Sequence, residues 1–231
     1  MARGEWPIEA ARRWTWLAAL VLVAAGACSN AHNGSPSSPS PAAGTAGALL
    51  ETLTVAPPAT DLAYDRDQFG QRWADVDRNG CDTRNDILAR DLTDAEVRPG
   101  THDCVVIAGQ LQDPYTGTTI AFVKAQADKV QIDHVVALAD AWASGAERWS
   151  AEKRLRFAND PVNLLAVDGE ANQAKGSSNA AEWLPPNRSY RCAYAARQVT
   201  VKAQYGLTVT EAEHDALASV LATCPSQLPA R

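Results

Sequence analysis

The sequence predicts an α+β fold centred on a strand, a second strand and a helix, with a supporting β-hairpin and flanking helices. Three stretches predict it. Residues 130–138 read Val-Gln-Ile-Asp-His-Val-Val-Ala-Leu, an apolar run interrupted by an acid and a histidine side by side. Residues 163–167 read Asn-Leu-Leu-Ala-Val, a short leucine-rich and β-branched strand opened by an asparagine. Asp168 then caps a helix that carries Asn172 and Lys175 three residues apart, hence on one face.

An acid beside a histidine at the end of an apolar strand is costly unless the two are paired or something binds there. Taken alone, Asp133 and His134 read as a hydrogen-bonded structural pair. The combination with Asn163, Asn172 and Lys175 favours chemistry. Water attacking a phosphodiester must lose a proton near neutral pH, and histidine is the side chain whose ordinary pKa suits that task. Charge then builds on the leaving oxygen. A hard divalent cation held by one or two oxygen ligands can stabilise it, and Asp133 and Asn172 offer such oxygens.

These residues in this order resemble the HNH, or ββα-metal, nucleases. In particular they resemble exported HNH proteins whose catalytic part resembles the C-terminal domain of modification-dependent restriction enzymes. The resemblance covers roughly residues 65–224 and implies a ββα-metal (HNH) core that cleaves DNA with a divalent metal, Mg²⁺ first and Mn²⁺ as the alternative. Residue by residue it implies Asp133 as a metal ligand, His134 as general base, Asn163 as the brace that orients the histidine and Asn172 as second metal ligand. Lys175 would sit near the scissile phosphate. Products would carry 5′-phosphate and 3′-hydroxyl ends. Asparagine stands here at the last metal position, often histidine in the family, which marks a subtype.

With 231 residues, 46% of them hydrophobic, the chain is long enough for one well-packed domain and a leader. Residues 1–27 carry Arg3, Arg12 and Arg13 before an apolar stretch and a run of small residues, the pattern of an export signal. The signal ends Ala25-Gly26-Ala27-Cys28, which resembles a bacterial lipobox and implies lipidation of Cys28 and a membrane anchor facing outside the cytoplasm. Ordinary cleavage nearby, giving a secreted protein, is the alternative. Residues 28–60 are rich in Ser, Pro and Ala and are expected to form a flexible tether, with Leu49, Leu50 and Leu53 either starting to pack or forming a short fraying helix. The nuclease domain is expected over residues 61–231.

Four further cysteines, Cys81, Cys104, Cys192 and Cys224, form an even set in a chain bound for an oxidising compartment. Three connectivities are open. The favoured one joins Cys81 to Cys104 and Cys192 to Cys224, because each pair brackets one local unit. No close Cys-x-x-Cys pair supports a zinc site.

Along the domain, residues 61–73 read as a helix-like approach with Phe69 and Trp73 on a buried face. Residues 75–86 nearly match a calcium loop, but Asp86 stands where a glutamate should. A tight Asn79-Gly80 turn that places Cys81 is the stronger reading. Arg84 is a candidate phosphate contact, or equally a partner of nearby acids. Residues 104–110 and 118–123 read as a hairpin about a turn at 113–117. Two short helices follow Leu138, the second opened by Ser150 and carrying Lys153, Arg154 and Arg156. Arg154 and Arg156 are candidate DNA contacts. The helix after Asp168 is expected to stop at Pro185-Pro186. Residues 187–205 form another helix, and Thr210 with Glu213 forms a capping box for the last.

The net charge of −6 is awkward for a polyanion binder. Residues 51–140 hold 8 basic and 16 acidic side chains, residues 141–231 hold 10 and 9. The acidity lies upstream, so modest, salt-sensitive binding without sequence reading is expected. Two rivals come from other classes: a non-catalytic surface lipoprotein binding nucleic acid or envelope components, and a phosphodiesterase acting on RNA or small nucleotides.

Overall fold

The computed structural model describes residues 42–59 and 63–231. The expected export signal in residues 1–27, the expected lipidation at Cys28 and the first part of the expected tether lie outside the described residues. A first helix, α1 (Ala46–Leu50), is capped by the Thr45 hydroxyl. Ala46 and Leu50 are buried with apolar residues of two helices from the far end of the chain. The folded body therefore begins upstream of the expected boundary at residue 61, because an Ala-Leu face of one short helix finds a ready apolar surface. Over residues 63–73, the described part of the expected helix-like approach, the structure holds a single 3₁₀ turn, Arg66–Phe69, which Gly70 ends at φ 78°. Phe69 is buried as expected.

Downstream, α2 (Thr83–Asp91) starts at Asp82, whose carboxylate accepts from the Asn85 amide. The acids before it fold onto the turn. Asp75 accepts from the Asn79 and Gly80 amides, and Asp86 accepts from the Asn79 side chain, so the Asn-Gly turn organises this loop. The chain then forms β1 (Leu92–Val97), β2 (Val106–Gln112) and β3 (Thr119–Val123), an antiparallel sheet in that order. The β2–β3 hairpin was expected. β1 was not, because only Leu92 of its six residues is buried and it carries Thr93, Asp94 and Glu96. It is an edge strand with an irregular register, stabilised by pairing more than by burial.

The centre of the fold is β4 (Val130–His134), paired antiparallel with β5 (Leu164–Asp168) so that Asp133 faces Leu165 and His134 faces Leu164. Between the two strands run α3 (Leu138–Ala143) and α4 (Ala151–Ala158), the latter capped by Ser150 as expected. Both strands are apolar because both faces are covered. Val130, Ile132, Leu164 and Ala166 pack with Leu88, Val106 and Phe122, whereas Val135, Leu165 and Val167 pack with Tyr115 and Tyr194. β5 leads directly into α5 (Gly169–Lys175), capped by the Asp168 carboxylate on the Ala171 amide.

Gly169 is required at that junction. A Cβ there would lie 2.0 Å from the Asp128 carbonyl, while the Gly169 amide donates to Lys129 at 2.9 Å. The helix ends at Lys175 with Gly176 at φ 55°, ten residues before the expected Pro-Pro stop. A glycine at positive φ, a conformation other residues rarely adopt, terminates the helix before proline can. α6 (Arg191–Tyr205) and α7 (Glu211–Ala222) close the domain, and the Thr210 hydroxyl accepts from the Glu213 amide as the capping box requires. Both favoured disulfides form, Cys81 to Cys104 and Cys192 to Cys224, with Cα separations of 5.0 and 6.4 Å. The fold class is α+β, with seven helices and two small antiparallel sheets among the described residues.

Candidate active site

Side chains alternate along a strand, so Asp133 and His134 leave opposite faces of β4 although adjacent in the chain. Asp133 is almost fully buried, and each carboxylate oxygen already has a partner. Lys175 Nζ donates to Oδ1 at 2.9 Å and to the His134 carbonyl at 2.8 Å, and the Tyr115 hydroxyl donates to Oδ2. Burial raises the Asp133 carboxyl above its ordinary value, against the opposing pull of Lys175 and Tyr115. Burial and the facing Asp133 charge push the Tyr115 phenol well up, so it stays a donor.

His134 Nε2 lies 2.8 Å from the Ala158 carbonyl, at the C-terminus of α4. A carbonyl can only accept, so Nε2 carries the proton and the neutral ring keeps its lone pair on Nδ1. The last carbonyls of a helix lack intrahelical partners and sit at its negative end, which suits them to hold an N–H donor. Burial pushes the imidazole down to about 3, and the cations Arg66, Lys175 and Arg72 add to the depression. His134 is therefore neutral at neutral pH. The Trp73 ring stacks on it at 6.1 Å and 13°, from a backbone held at φ 55°. That left-handed conformation is strained for a bulky residue and places the indole over the imidazole.

Asn163 is fully buried and grips the chain leaving β4. Its Oδ1 accepts from the Val136 amide at 2.8 Å, and its Nδ2 donates to the Val136 carbonyl at 3.2 Å. Its own carbonyl accepts from the Val135 amide. It fixes the backbone just after His134 rather than touching the ring. Asn172 donates Nδ2 to Gln131 Oε1 at 2.8 Å, which leaves its carbonyl oxygen available.

Two openings meet at His134. A narrow cleft of about 20 Å³ is lined by Arg66, Asp67, Arg72, Trp73 and Ala158 among others, and a wider cavity of about 290 Å³ by Arg66, Gln131, Asp133 and Asn172. Asp133 and Asn172 thus face one polar space. Their donors are hard oxygens, two in number, and the remaining room is wide enough for water and a phosphate. This donor set fits a cation such as Mg²⁺, which keeps several waters and takes few protein ligands. Lys175 already neutralises Asp133, so binding without substrate should be weak. Among the described residues, no group of three or more His, Cys, Asp or Glu side chains is placed to hold a metal ion.

Other expected contacts lie elsewhere. Lys175 lines neither opening; it is buried beneath Asp133, because α5 presents that face to β4. Arg84 lines neither opening and packs 6.0 Å from the Phe122 ring centre. Arg154 donates to the Gln68 and Trp149 carbonyls, tying α4 to the 3₁₀ turn. Arg156 is exposed and lines neither opening. Conversely, the sequence reading missed Tyr115, Gln131, Arg66 and Arg72 as site residues. A tyrosine in a turn and arginines in an acidic stretch carry no local signal of their destination.

The arrangement defines a small α+β domain with a buried neutral histidine and an oxygen-lined cavity at the end of a strand pair and helix. The chain belongs to the family described as GmrSD restriction endonucleases, C-terminal domain, which matches residues 82–220. It is also 42% identical over 186 residues to an uncharacterized secreted protein of Arthroderma benhamiae, covering 80% of this chain and 87% of that one. No solved structure matches. Among the described residues no helix is long and apolar enough to cross a membrane.

Proposed function

We propose that this protein is an exported, metal-dependent HNH endonuclease that hydrolyses DNA phosphodiester bonds with little sequence selectivity. The observation that carries the reading is His134, a neutral imidazole with its donor nitrogen held by Ala158 and its lone pair on Nδ1, beside the oxygens of Asp133 and Asn172. Membership of a family named for restriction endonucleases supports the reaction class.

In this mechanism His134 Nδ1 accepts the proton of the attacking water as the oxygen closes on phosphorus. The Ala158 carbonyl and Trp73 hold the ring so that it need not reorient. Asn163 fixes the backbone that carries it. Asp133 and Asn172 would hold the divalent cation, Mg²⁺ or Mn²⁺, which supplies charge stabilisation at the leaving 3′-oxygen. Lys175 and Tyr115 keep the Asp133 carboxylate in one orientation. The departing 3′-oxygen takes a proton from solvent, and the products are 5′-phosphate and 3′-hydroxyl ends.

Export agrees with two disulfides and with the secreted relative. The reading keeps Cys28 as the lipidated residue of a membrane-anchored form. Palmitate labelling of the wild type, absent from Cys28→Ala, tests it; equal labelling of both, or of neither, overturns the anchor.

The decisive assay is plasmid cleavage by the oxidised protein with Mg²⁺, Mn²⁺ or EDTA, beside His134→Ala. Nicking that needs metal and disappears in a folded His134→Ala protein is the expected result. A folded wild type that cleaves no DNA with any metal overturns the proposal.

A further inference from the structure

Residues 66–73 lie upstream of the family match, yet they form one wall of the site. We propose that Arg66, with Arg72 beside it at the rim, is the guanidinium that holds the DNA phosphodiester against His134. This rests on the nuclease reading above and names how its substrate is gripped.

Arg66 lines both openings that meet at His134, a position shared only with Leu138 and His134 itself among the lining residues. Its Nε is buried without a hydrogen-bond partner. A buried donor left unpaired is costly, and a guanidinium offers a planar fork of donors matched to phosphate or carboxylate oxygens. The carboxylates along the two openings are Asp67 and Asp133. Asp133 is already matched by Lys175, so it does not answer Arg66. Arg66 and Arg72 against Asp67 leave the space between them net positive. This local sign opposes the surrounding chain, where residues 51–140 hold 8 basic and 16 acidic side chains. The cation excess stands where a phosphate must lie for His134 to deliver water to it.

The local build holds the wall in place. Arg154 donates to the Gln68 carbonyl at 2.8 Å, and Phe69 packs against Trp142 and Phe157 with ring centres 6.1 Å apart. Arg66 is thus presented by a turn anchored at Gln68 and Phe69, not by a free loop.

The test compares Arg66→Ala, Arg66→Lys and Arg72→Ala with wild type and His134→Ala on a labelled duplex oligonucleotide. In cleavage, Arg66→Ala should raise KM about tenfold or more, with Arg66→Lys intermediate because it keeps charge but loses the fork. In the non-cleaving His134→Ala background, adding Arg66→Ala should weaken duplex binding and reduce the slope of log K against log salt by about 0.9, the value for one lost phosphate contact. If Arg66→Ala does not fold, as judged by near-ultraviolet circular dichroism, Arg66→Lys carries the test. A folded wild type that does not cleave the duplex with any metal tried overturns the nuclease reading itself, and cleavage that survives in His134→Ala overturns the placing of the phosphodiester against His134. Cleavage lost in His134→Ala but unchanged in KM and salt slope for the Arg66 variants overturns this inference alone.

Discussion

Lys175 Nζ and Asp133 Oδ1 form a buried ion pair at 2.9 Å, with side chains 0% and 6% exposed. It joins the last residue of α5 to the strand residue beside His134, so helix and strand hold one geometry. Removing one partner of such a pair leaves an uncompensated charge in a low dielectric. Lys175→Met should lower stability by about 3–5 kcal/mol. In Asp133→Asn with Lys175→Met the loss should be smaller than the sum of the single losses, because each alone strands the other charge. Urea denaturation of the four proteins checks this; strict additivity would show that the pair is not coupled.

His134→Ala should lower kcat/KM by about 10²–10⁴, the usual contribution of a positioned general base. Its fold should survive, since the ring's one polar contact is to the Ala158 carbonyl. Single-turnover cleavage at saturating metal, with circular dichroism on the same sample, measures both. A loss below about tenfold would remove His134 from the reaction.

Lys202 lies between two carboxylates, half-buried Asp140 at 3.0 Å and buried Glu213 at 2.7 Å, where α3, α6 and α7 meet. One cation cannot neutralise two anions. Burial, and the Asp140 charge against the relief from Lys202, leaves the Glu213 carboxyl pushed up to about 7. Its folded value exceeds the ordinary 4.5, so the folded state binds this proton more tightly. That stability is full below the ordinary value and is lost as pH rises through the folded one. The melting temperature should fall by several degrees from pH 5 to 8, on a scale of about 2–4 °C per kcal/mol for a domain this size. Glu213→Gln should flatten the profile. A melting temperature equally steep in both proteins would assign the slope to other groups.

Gly169→Ala places a methyl group into the Asp128 carbonyl, so the β5–α5 junction must shift. Overpacking of this kind costs about 1–3 kcal/mol. Activity should fall more than stability explains, because α5 carries Asn172 and Lys175. Thermal denaturation and cleavage rates at a temperature where both proteins are folded separate the two effects; wild-type activity in the variant would show that α5 tolerates the shift.

What the sequence determined by itself was local. β4 and β5 showed as apolar runs, and Asp168, Ser150 and Thr210 announced their helices because a capping side chain reaches only three residues. The cysteine pairs were legible because each closes its own unit. That Asn163 hydrogen-bonds to Val136, 27 residues away in the chain, was not legible in any short window. Tertiary structure decided the direction of Lys175, which depends on which face of α5 meets β4. It decided the reach of Tyr115 to Asp133 across 18 residues and the arrival of Arg66 beside His134. It decided β1 too, whose exposed polar residues gain their pairing only when β2 is present. Local hydrogen bonding and hydrophobic period are written in neighbouring residues. The partner of a buried charge is set by packing between segments distant in the chain, and no short window of sequence records it.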